Sequence, residues 1–166
     1  MASTTLAHPY VGEITITEAE GYITRISFGN KKSSGDIVER ENPVLHAARQ
    51  QLSEYFDGKR KTFALPLHPE GSDFQKKVWE ALRAIPYGET ASYKEIGERV
   101  GRMDASRAVG AANKKNPLAV IIPCHRVVGS DGRLVGYAAG LEIKEKLLAL
   151  ETAHRDCGNY LAARLV

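Results

Sequence analysis

The feature that most constrains this chain is a change of hydrophobic period near residue 70. Apolar and polar residues alternate along Val11–Thr17 and Tyr22–Phe28, which is the pattern of half-buried strands. Beyond that point apolar residues recur every three or four positions, as they do on one face of a helix. We therefore predict an α/β (α+β) chain with two domains, residues 1–70 and residues 71–166.

The first domain contains signals for strands, a loop and one helix. The segment Glu18–Gly21 separates the two alternating runs and predicts a hairpin. The polar stretch Gly29–Glu41 is typical of a loop, and Asn42-Pro43 is typical of a helix start, with an N-cap followed by a first-turn proline. Gly58 ends this helix. Thr62–Leu67 then predicts one more strand.

Two short helices joined by a glycine-bearing turn stand out in the second domain. Ser92 with Glu95 forms a capping box that opens the first helix, residues 101–103 turn the chain, and Asp104 caps a second helix over residues 105–115. This is the pattern of a DNA-binding helix-turn-helix, although any α-rich domain can contain such a pair. The second helix carries almost no bulk, which suits close approach to a partner or packing against a neighbouring helix. Its small residues are Ala105, Ser106, Ala108, Gly110, Ala111 and Ala112.

The remaining elements of the second domain are predicted from the same kinds of signal, helix caps and apolar patterns. Ser72 caps a helix that continues to Ile85. The apolar run Ala119–Ile122 predicts a buried strand leading to Cys124, and a glycine-rich segment follows it. The last helix is predicted from about Leu141 to Glu151.

Charge and cysteine content limit the possible partners and compartments. The net charge is only +3, but residues 1–73 carry −2 and residues 74–166 carry +5, so a polyanion should meet the second half. The N-terminus has neither the basic nor the apolar region of a signal peptide, and the longest apolar run is too short to cross a membrane. Cys124 and Cys157 provide neither a disulfide framework nor metal-ligand spacing. We expect a cytoplasmic protein without metal or cofactor.

Cys124 is a candidate nucleophile because His125 follows it directly. A cysteine reacts as its thiolate, and a histidine base oriented by a carboxylate assists its deprotonation. Glu151 on the last helix is one carboxylate able to orient His125. Buried cysteines are also common and inert, so these residue types alone leave both interpretations open.

The second half of the chain contains a series of short motifs in a defined order. They are Phe74-Gln75 with Val78-Trp79, Ile85-Pro86-Tyr87-Gly88, Ser92-Tyr93, Ser106-Arg107-Ala108-Val109-Gly110, Asn116-Pro117, Pro123-Cys124-His125-Arg126-Val127, Gly136-Tyr137 and Glu151. In this order they resemble the O6-alkylguanine-DNA alkyltransferase family, the methylated-DNA–protein-cysteine methyltransferases. The resemblance is dense over residues 70–151 and general over residues 10–67. It implies an RNase-H-like domain with an antiparallel sheet, then a helical domain with a helix-turn-helix.

The resemblance implies direct reversal of DNA alkylation at Cys124. This cysteine would take the alkyl group from O6 of guanine, and possibly from O4-alkylthymine, in one displacement that consumes the protein. His125 would draw off the thiol proton through a water held between it and Glu151. Asn116 would brace the turn that carries this network.

The same resemblance implies a pocket for the damaged base. Tyr93 would donate a hydrogen bond to the leaving guanine, which develops negative charge. A backbone N–H of the loop Tyr137, Ala138 and Ala139 would assist, and carbonyls near Cys124 and Val127 would read the amino group. Lys144 also matches a pocket residue. The family often has a second glycine where Ala139 stands, and some relatives have proline at the position of Ala119.

The expected partner is double-stranded DNA containing alkylated guanine, bound through its minor groove by a monomer. The helix over residues 105–115 would enter the groove, Arg107 would replace the extruded base, and Lys114 and Lys115 would contact phosphates. Ala105, Ser106, Ala108 and Gly110 would permit close approach. Two rival functions are a lesion sensor that forms no adduct and a cysteine hydrolase that turns over many times.

Overall fold

The structure, a computed structural model, describes residues 1–29, 38–102 and 106–165, with side chains described except at residues 38–39 and 156–165. Within this part of the chain, no helix is long and apolar enough to cross a membrane. A sheet followed by helices confirms the predicted fold class.

The N-terminal sheet has the strand order β3-β2-β1-β4. Its first three strands, β1 (Ala2–His8), β2 (Gly12–Ala19) and β3 (Tyr22–Phe28), form an antiparallel meander. The β2–β3 hairpin was predicted, whereas β1 was missed. Only two side chains of β1, Ala2 and Leu6, are buried, so the strand carries too little alternation to be recognised in the sequence.

The predicted loop Gly29–Glu41 was wrong in one part. It contains β4 (Val38–Glu39), which pairs in parallel with Ala2 and Ser3 of β1. A two-residue strand leaves no periodic signal in a sequence. Residues 30–37 of this segment lie outside the described residues.

Helix α1 (Pro43–Phe56) packs on the sheet, as predicted. The Asn42 side chain accepts a hydrogen bond from the backbone N–H of Leu45 at 2.9 Å, which makes Asn42 the expected N-cap. Beyond the helix Gly58 has φ +76°, a left-handed conformation that glycine adopts without strain.

The strand predicted at Thr62–Leu67 is absent from the described fold, where only Leu67 forms a single bridge to Ile23. Pro66 has no N–H to donate to a ladder. The side chain of Gln51 also satisfies both backbone groups of Ala64, with bonds of 2.9 and 3.1 Å. These backbone groups therefore need no strand partner.

Four helices form the C-terminal part: α2 (Asp73–Arg83), α3 (Tyr93–Arg99), α4 (Ser106–Lys114) and α5 (Leu141–Leu165). All were predicted, but α5 continues well beyond its predicted end at Glu151, because a helix can continue where its apolar stripe stops. The buried Trp79 of α2 donates to the carbonyl of Ala112 at 2.8 Å and so fixes α2 against α4. The N-cap predicted at Asp104 lies outside the described residues.

The run Ala119–Ile122 is a buried turn, so the predicted strand was wrong. The N–H of Ile121 donates to the carbonyl of Ala119 at 2.9 Å, and the N–H of Ile122 donates to the carbonyl of Leu118 at 2.9 Å. Val120 has φ +73°, a strained conformation for a β-branched residue. Apolar content without alternation does not distinguish a buried strand from a buried turn.

This turn also joins the two parts of the molecule. The N–H of Ile26 in β3 bonds to the carbonyl of Pro117 at 2.8 Å, and the N–H of Ala119 bonds back to Ile26 at 3.2 Å. On either side of this turn in the sequence, β5 (Ala91–Ser92) and β6 (Val127–Val128) form a short parallel pair that the sequence did not indicate. The division at residue 70 stays a prediction.

Candidate active site

Cys124 begins a short 3-10 turn, Cys124–Arg126, at the end of the buried turn. Only 6% of Cys124 is exposed. Asn116 bridges the two ends of the turn, because its amide N–H donates to the Ile122 carbonyl at 2.8 Å and its oxygen accepts from the Leu118 N–H at 2.9 Å. The side chain of Asn113 lies 3.4 Å from the carbonyl of Cys124. The backbone that carries the thiol is thus held by two asparagines.

The carboxylate of Glu151 is the centre of a buried polar cluster beside Cys124. Its Oε2 atom lies 2.6 Å from His125 Nε2, 2.5 Å from the Tyr55 hydroxyl and 3.0 Å from Arg126 Nη2. Its Oε1 atom accepts from Arg126 Nε at 2.8 Å and from the Gly88 N–H at 3.2 Å. Both oxygens therefore face only donors, and burial of the charge is compensated by hydrogen bonds.

His125 and Glu151 are in direct contact, so the predicted water between them was wrong. A separation of 2.6 Å is that of a hydrogen bond and leaves no space for another atom. The other four donors on Glu151 keep its carboxylate at this position.

These contacts define the protonation state of His125. Burial tends to raise the pKa of Glu151, but His125 and Arg126 bring it down from 4.5 to about 2, so the carboxylate is ionised at neutral pH. The ionised carboxylate accepts only, and Nε2 of His125 must carry the proton that it donates. Burial lowers the pKa of His125, which keeps the ring neutral. Its Nδ1 atom, without a partner among the described residues, thus holds a free lone pair.

The thiol of Cys124 is not ionised by its surroundings alone. Burial raises its pKa, and the side chains of Asn116, Lys144 and Tyr137 counteract this only in part. A buried thiol with a raised pKa needs a base at the moment of reaction. A neutral histidine follows it directly in the chain.

A cavity of about 160 Å³ opens beside Cys124. One wall is the end of β3, residues 25–28, and the opposite wall is the loop Tyr137, Ala138 and Ala139. The end of α4 and the turn at residues 116–119 complete it. Tyr93 and Val127 are not among the described residues that line this space.

Tyr93 and Lys144 hold the loop that closes the cavity. The hydroxyl of Tyr93 donates to the Val135 carbonyl at 3.1 Å. The fully buried ammonium of Lys144 donates to the carbonyls of Val135 and Gly136 at 3.0 and 3.2 Å. Burial lowers the pKa of Lys144, and the nearby thiol opposes that shift. Val127 is buried in β6, where it pairs with Ala91.

Helix α4 presents the residues predicted to contact DNA. Ser106, Arg107, Lys114 and Lys115 are exposed, whereas Ala108 and Gly110 are half-buried. Ala105 lies outside the described residues. A Cβ added at Gly110 would meet Tyr93 Cε1 at 3.9 Å, an ordinary contact, so packing within the chain does not require glycine there.

Three residues of the site were not predicted: Tyr55, Gly88 and Arg126. Tyr55 is 96 positions from Glu151 in the chain, and no spacing rule could have connected them. Arg126 stands in the Cys-His motif, but the sequence analysis assigned it no role in the chemistry. Among the described residues, no group of three His, Cys, Asp or Glu side chains could hold a metal ion.

Comparison with known proteins identifies the family. Residues 73–153 match the 6-O-methylguanine DNA methyltransferase DNA-binding domain, and residues 1–69 match the ribonuclease-like domain of the same methyltransferases. The chain therefore belongs to the 6-O-methylguanine DNA methyltransferase family. The predicted family and the ribonuclease-like N-terminal fold are confirmed.

Individual relatives match this chain over most of their own length. A methylated-DNA–protein-cysteine methyltransferase of Methanosarcina barkeri is 52% identical over 145 residues, covering 85% of this chain and 91% of the relative. The constitutive enzyme of that name from Bacillus subtilis is 47% identical over 154 residues, covering 89% and 93%. The structure of Mycobacterium tuberculosis OGT in complex with DNA superposes with a TM-score of 0.86 at 38% identity, covering 93% of this chain and 94% of that one.

Proposed function

We propose that this protein repairs DNA by moving an alkyl group from O6 of guanine to the sulfur of Cys124. Membership of the family supports the reaction class, DNA repair by methyl transfer to a protein cysteine. The observation that carries the proposal is the buried Cys124 thiol at the wall of a cavity, next to a neutral histidine held by an ionised carboxylate. This arrangement supplies an acceptor, a base and a space for the substrate.

His125 accepts the thiol proton at Nδ1, the ring nitrogen not bonded to Glu151. The resulting imidazolium is stabilised by the carboxylate 2.6 Å away on the other nitrogen. The thiolate sulfur then forms a bond to the alkyl carbon as the bond from that carbon to O6 breaks. Guanine leaves with the electron pair and regains a proton, so thiol and alkylated base become thioether and guanine.

The base pocket needs donors because negative charge develops on the leaving guanine. Tyr93 supplies one by exchanging its bond to Val135 for a bond to the base. Backbone N–H groups of the loop Tyr137, Ala138 and Ala139 supply others, and the carbonyl of Val127 reads the amino group. Lys144 keeps the loop in place through two carbonyl contacts.

DNA binds along α4, which enters the minor groove as the second helix of the helix-turn-helix. The damaged nucleotide rotates out of the stack, and Arg107 fills the gap that it leaves. The exposed Lys114 and Lys115 contact phosphates. Gly110 permits close contact between α4 and DNA. Packing within the chain does not explain this glycine, because an added Cβ would have space there. Ser106, Ala105 and Ala108 extend this surface.

The reaction consumes the protein, because a thioether has no easy hydrolytic exit. Each molecule therefore repairs one lesion. Ala119 and Ala139, where relatives can have proline and glycine, shape the space for the alkyl group. Activity on O4-alkylthymine, a monomeric state and a cytoplasmic location remain predictions.

The decisive experiment mixes the protein with a duplex that carries radiolabelled O6-methylguanine. We expect one methyl group per molecule, found by mass spectrometry on the peptide containing Cys124. Cys124→Ser should abolish transfer and leave binding of the alkylated duplex largely intact. Label on Cys157 would refute the assignment. Absence of any label would support a lesion sensor, and repeated turnover of an acyl substrate would support a hydrolase.

A further inference from the structure

One carboxylate oxygen at the site is shared by donors from both parts of the molecule. The Tyr55 hydroxyl and His125 Nε2 lie 2.5 and 2.6 Å from the same atom, Glu151 Oε2. Tyr55 belongs to α1, which packs on the N-terminal sheet. It is fully buried, so water does not compete with its hydrogen bond.

We propose that Tyr55 is a positioning residue of the alkyl-transfer reaction, which sets the proton affinity of His125 through their shared contact with Glu151. The inference rests on the proposed role of His125 as proton acceptor. Tyr55 is not among the described residues that line the cavity, and its hydroxyl donates to Glu151. It therefore acts through this carboxylate. The N-terminal domain thereby influences the chemistry at Cys124.

The physical reason is competition for charge on a single oxygen. Two donors on Oε2 each draw on the same negative charge, and Arg126 Nη2 takes a further share at 3.0 Å. Without the Tyr55 hydroxyl, more of that charge faces the imidazole N–H. A stronger carboxylate interaction stabilises the imidazolium, so His125 would hold a proton at higher pH. Protonated His125 cannot accept the proton of the thiol.

The surroundings of His125 make it sensitive to this change. Burial lowers the pKa of His125, and Glu151 is the partner that opposes the shift. Burial raises the pKa of Tyr55 well above its usual value, so the phenol stays a neutral donor wherever His125 titrates. Several titratable and charged groups surround the pair. They are Glu151 and Lys144 from α5, Arg126 and Cys124 from the 3-10 turn, Tyr55 from α1, Tyr87 from the loop after α2, and Tyr137 from the loop before α5.

The test is Tyr55→Phe, with Tyr87→Phe as a matched control. Tyr87 packs edge-on against Tyr55 with ring centres 6.1 Å apart, and its buried hydroxyl has no partner among the described residues. Both variants remove one buried phenol oxygen from the same cluster, but only Tyr55→Phe changes Glu151 Oε2. The rate of alkyl transfer from free O6-benzylguanine, which requires no DNA, is measured across the acid limb of its pH profile.

We expect the midpoint of the acid limb to move up by roughly half to one pH unit in Tyr55→Phe. Tyr87→Phe should keep the wild-type midpoint. NMR titration of the His125 ring in the unreacted protein should show the same shift. Tyr55→3-fluorotyrosine, which keeps the hydroxyl and makes it a stronger donor, should move the midpoint down, and it provides a folded variant if the phenylalanine variant does not fold.

The outcomes separate this inference from the proposed function. If the wild-type protein accepts no alkyl group from O6-benzylguanine or from methylated duplex, the proposed function itself is wrong. If the wild type reacts and the Tyr55 variants keep its midpoint, with or without lower thermal stability, Tyr55 is only structural. An equal shift in Tyr87→Phe would also refute the inference.

Discussion

Replacing Gly110 by alanine should make the protein more stable and, at the same time, a weaker DNA binder. Gly110 lies inside α4, where alanine is favoured over glycine by about 0.8–1 kcal/mol of helix propensity. The added Cβ would contact Tyr93 Cε1 at 3.9 Å, so no neighbour has to move. For a chain of this length, 1 kcal/mol corresponds to a rise of roughly 2–4 °C in Tm.

Gly97→Ala is the matched control for the stability measurement. Gly97 also lies in a helix, α3, and gains the same propensity. Its added Cβ would stand 2.8 Å from the carbonyl oxygen of Arg102, a backbone atom that must shift. Overpacking of this kind costs about 1–3 kcal/mol, so Tm should fall. Differential scanning calorimetry should thus give opposite signs for one substitution at two helical glycines.

DNA binding provides the second half of the test. If α4 lies against the minor groove at Gly110, the extra methyl group costs about 1–3 kcal/mol of contact, which is roughly a 5- to 150-fold rise in Kd. Fluorescence anisotropy with a lesion-free duplex measures this, and the reaction with free O6-benzylguanine should stay at the wild-type rate. A variant with raised Tm and unchanged Kd would show that this face of α4 does not touch DNA. A lowered Tm would refute the assessment of the space around Gly110.

Three further predictions concern DNA and pH. Arg107→Ala should slow repair of duplex substrate severely but leave transfer from free O6-benzylguanine unchanged in single-turnover assays, and an equal loss on both would contradict a role in base flipping. Replacing Lys114 and Lys115 by alanine should flatten the log–log salt dependence of DNA affinity by up to about 0.9 per lost phosphate contact, whereas an unchanged slope would exclude both lysines from the DNA surface. Because the pKa of Glu151 is depressed from 4.5 to about 2, its contribution to stability is complete above pH 4.5 and is lost as the pH falls toward 2. Urea titrations across that range should show this loss in the wild type, and Glu151→Gln should lack it and lose about 3–5 kcal/mol at neutral pH.

Local signals made much of the fold predictable. The N-caps at Asn42 and Ser72 each rest on contacts within three residues, and the β2–β3 hairpin rests on alternation over seven. The elements that were missed or wrong depend on distant partners. β1 is a strand because β2 lies beside it. Thr62–Leu67 is not one, since the side chain of Gln51 occupies the backbone groups of Ala64 and Pro66 has no N–H to donate.

The site was predictable only as far as its motif extends. Cys124 and His125 are neighbours in the sequence, Glu151 was one carboxylate able to orient His125, and the resemblance to a family then singled it out. The remaining contacts on the carboxylate are set by the fold: Arg126 donates to it at 2.8 Å, and the Tyr55 hydroxyl donates to it from α1. The predicted water was wrong for the same reason, since how closely α5 approaches His125 depends on packing that leaves no trace in residue spacing.

The polar cluster around Glu151 explains how a buried thiol can be reactive without being ionised at rest. Burial alone would raise the pKa of Glu151, yet five hydrogen bonds and the charge of Arg126 keep it ionised. Such an ion pair adds little stability over an apolar pair of the same volume, because desolvation offsets its attraction, although removal of one partner alone is costly. The effect of these contacts on His125 is geometric, since an ionised acceptor fixes the proton of His125 on Nε2 and leaves Nδ1 free for the role of base that we propose. In the proposed reaction, the neutral His125 and the neutral thiol add no further charge to the core beside the ion pair of Glu151 and Arg126. New charge appears only when a substrate is present to accept the sulfur's electrons.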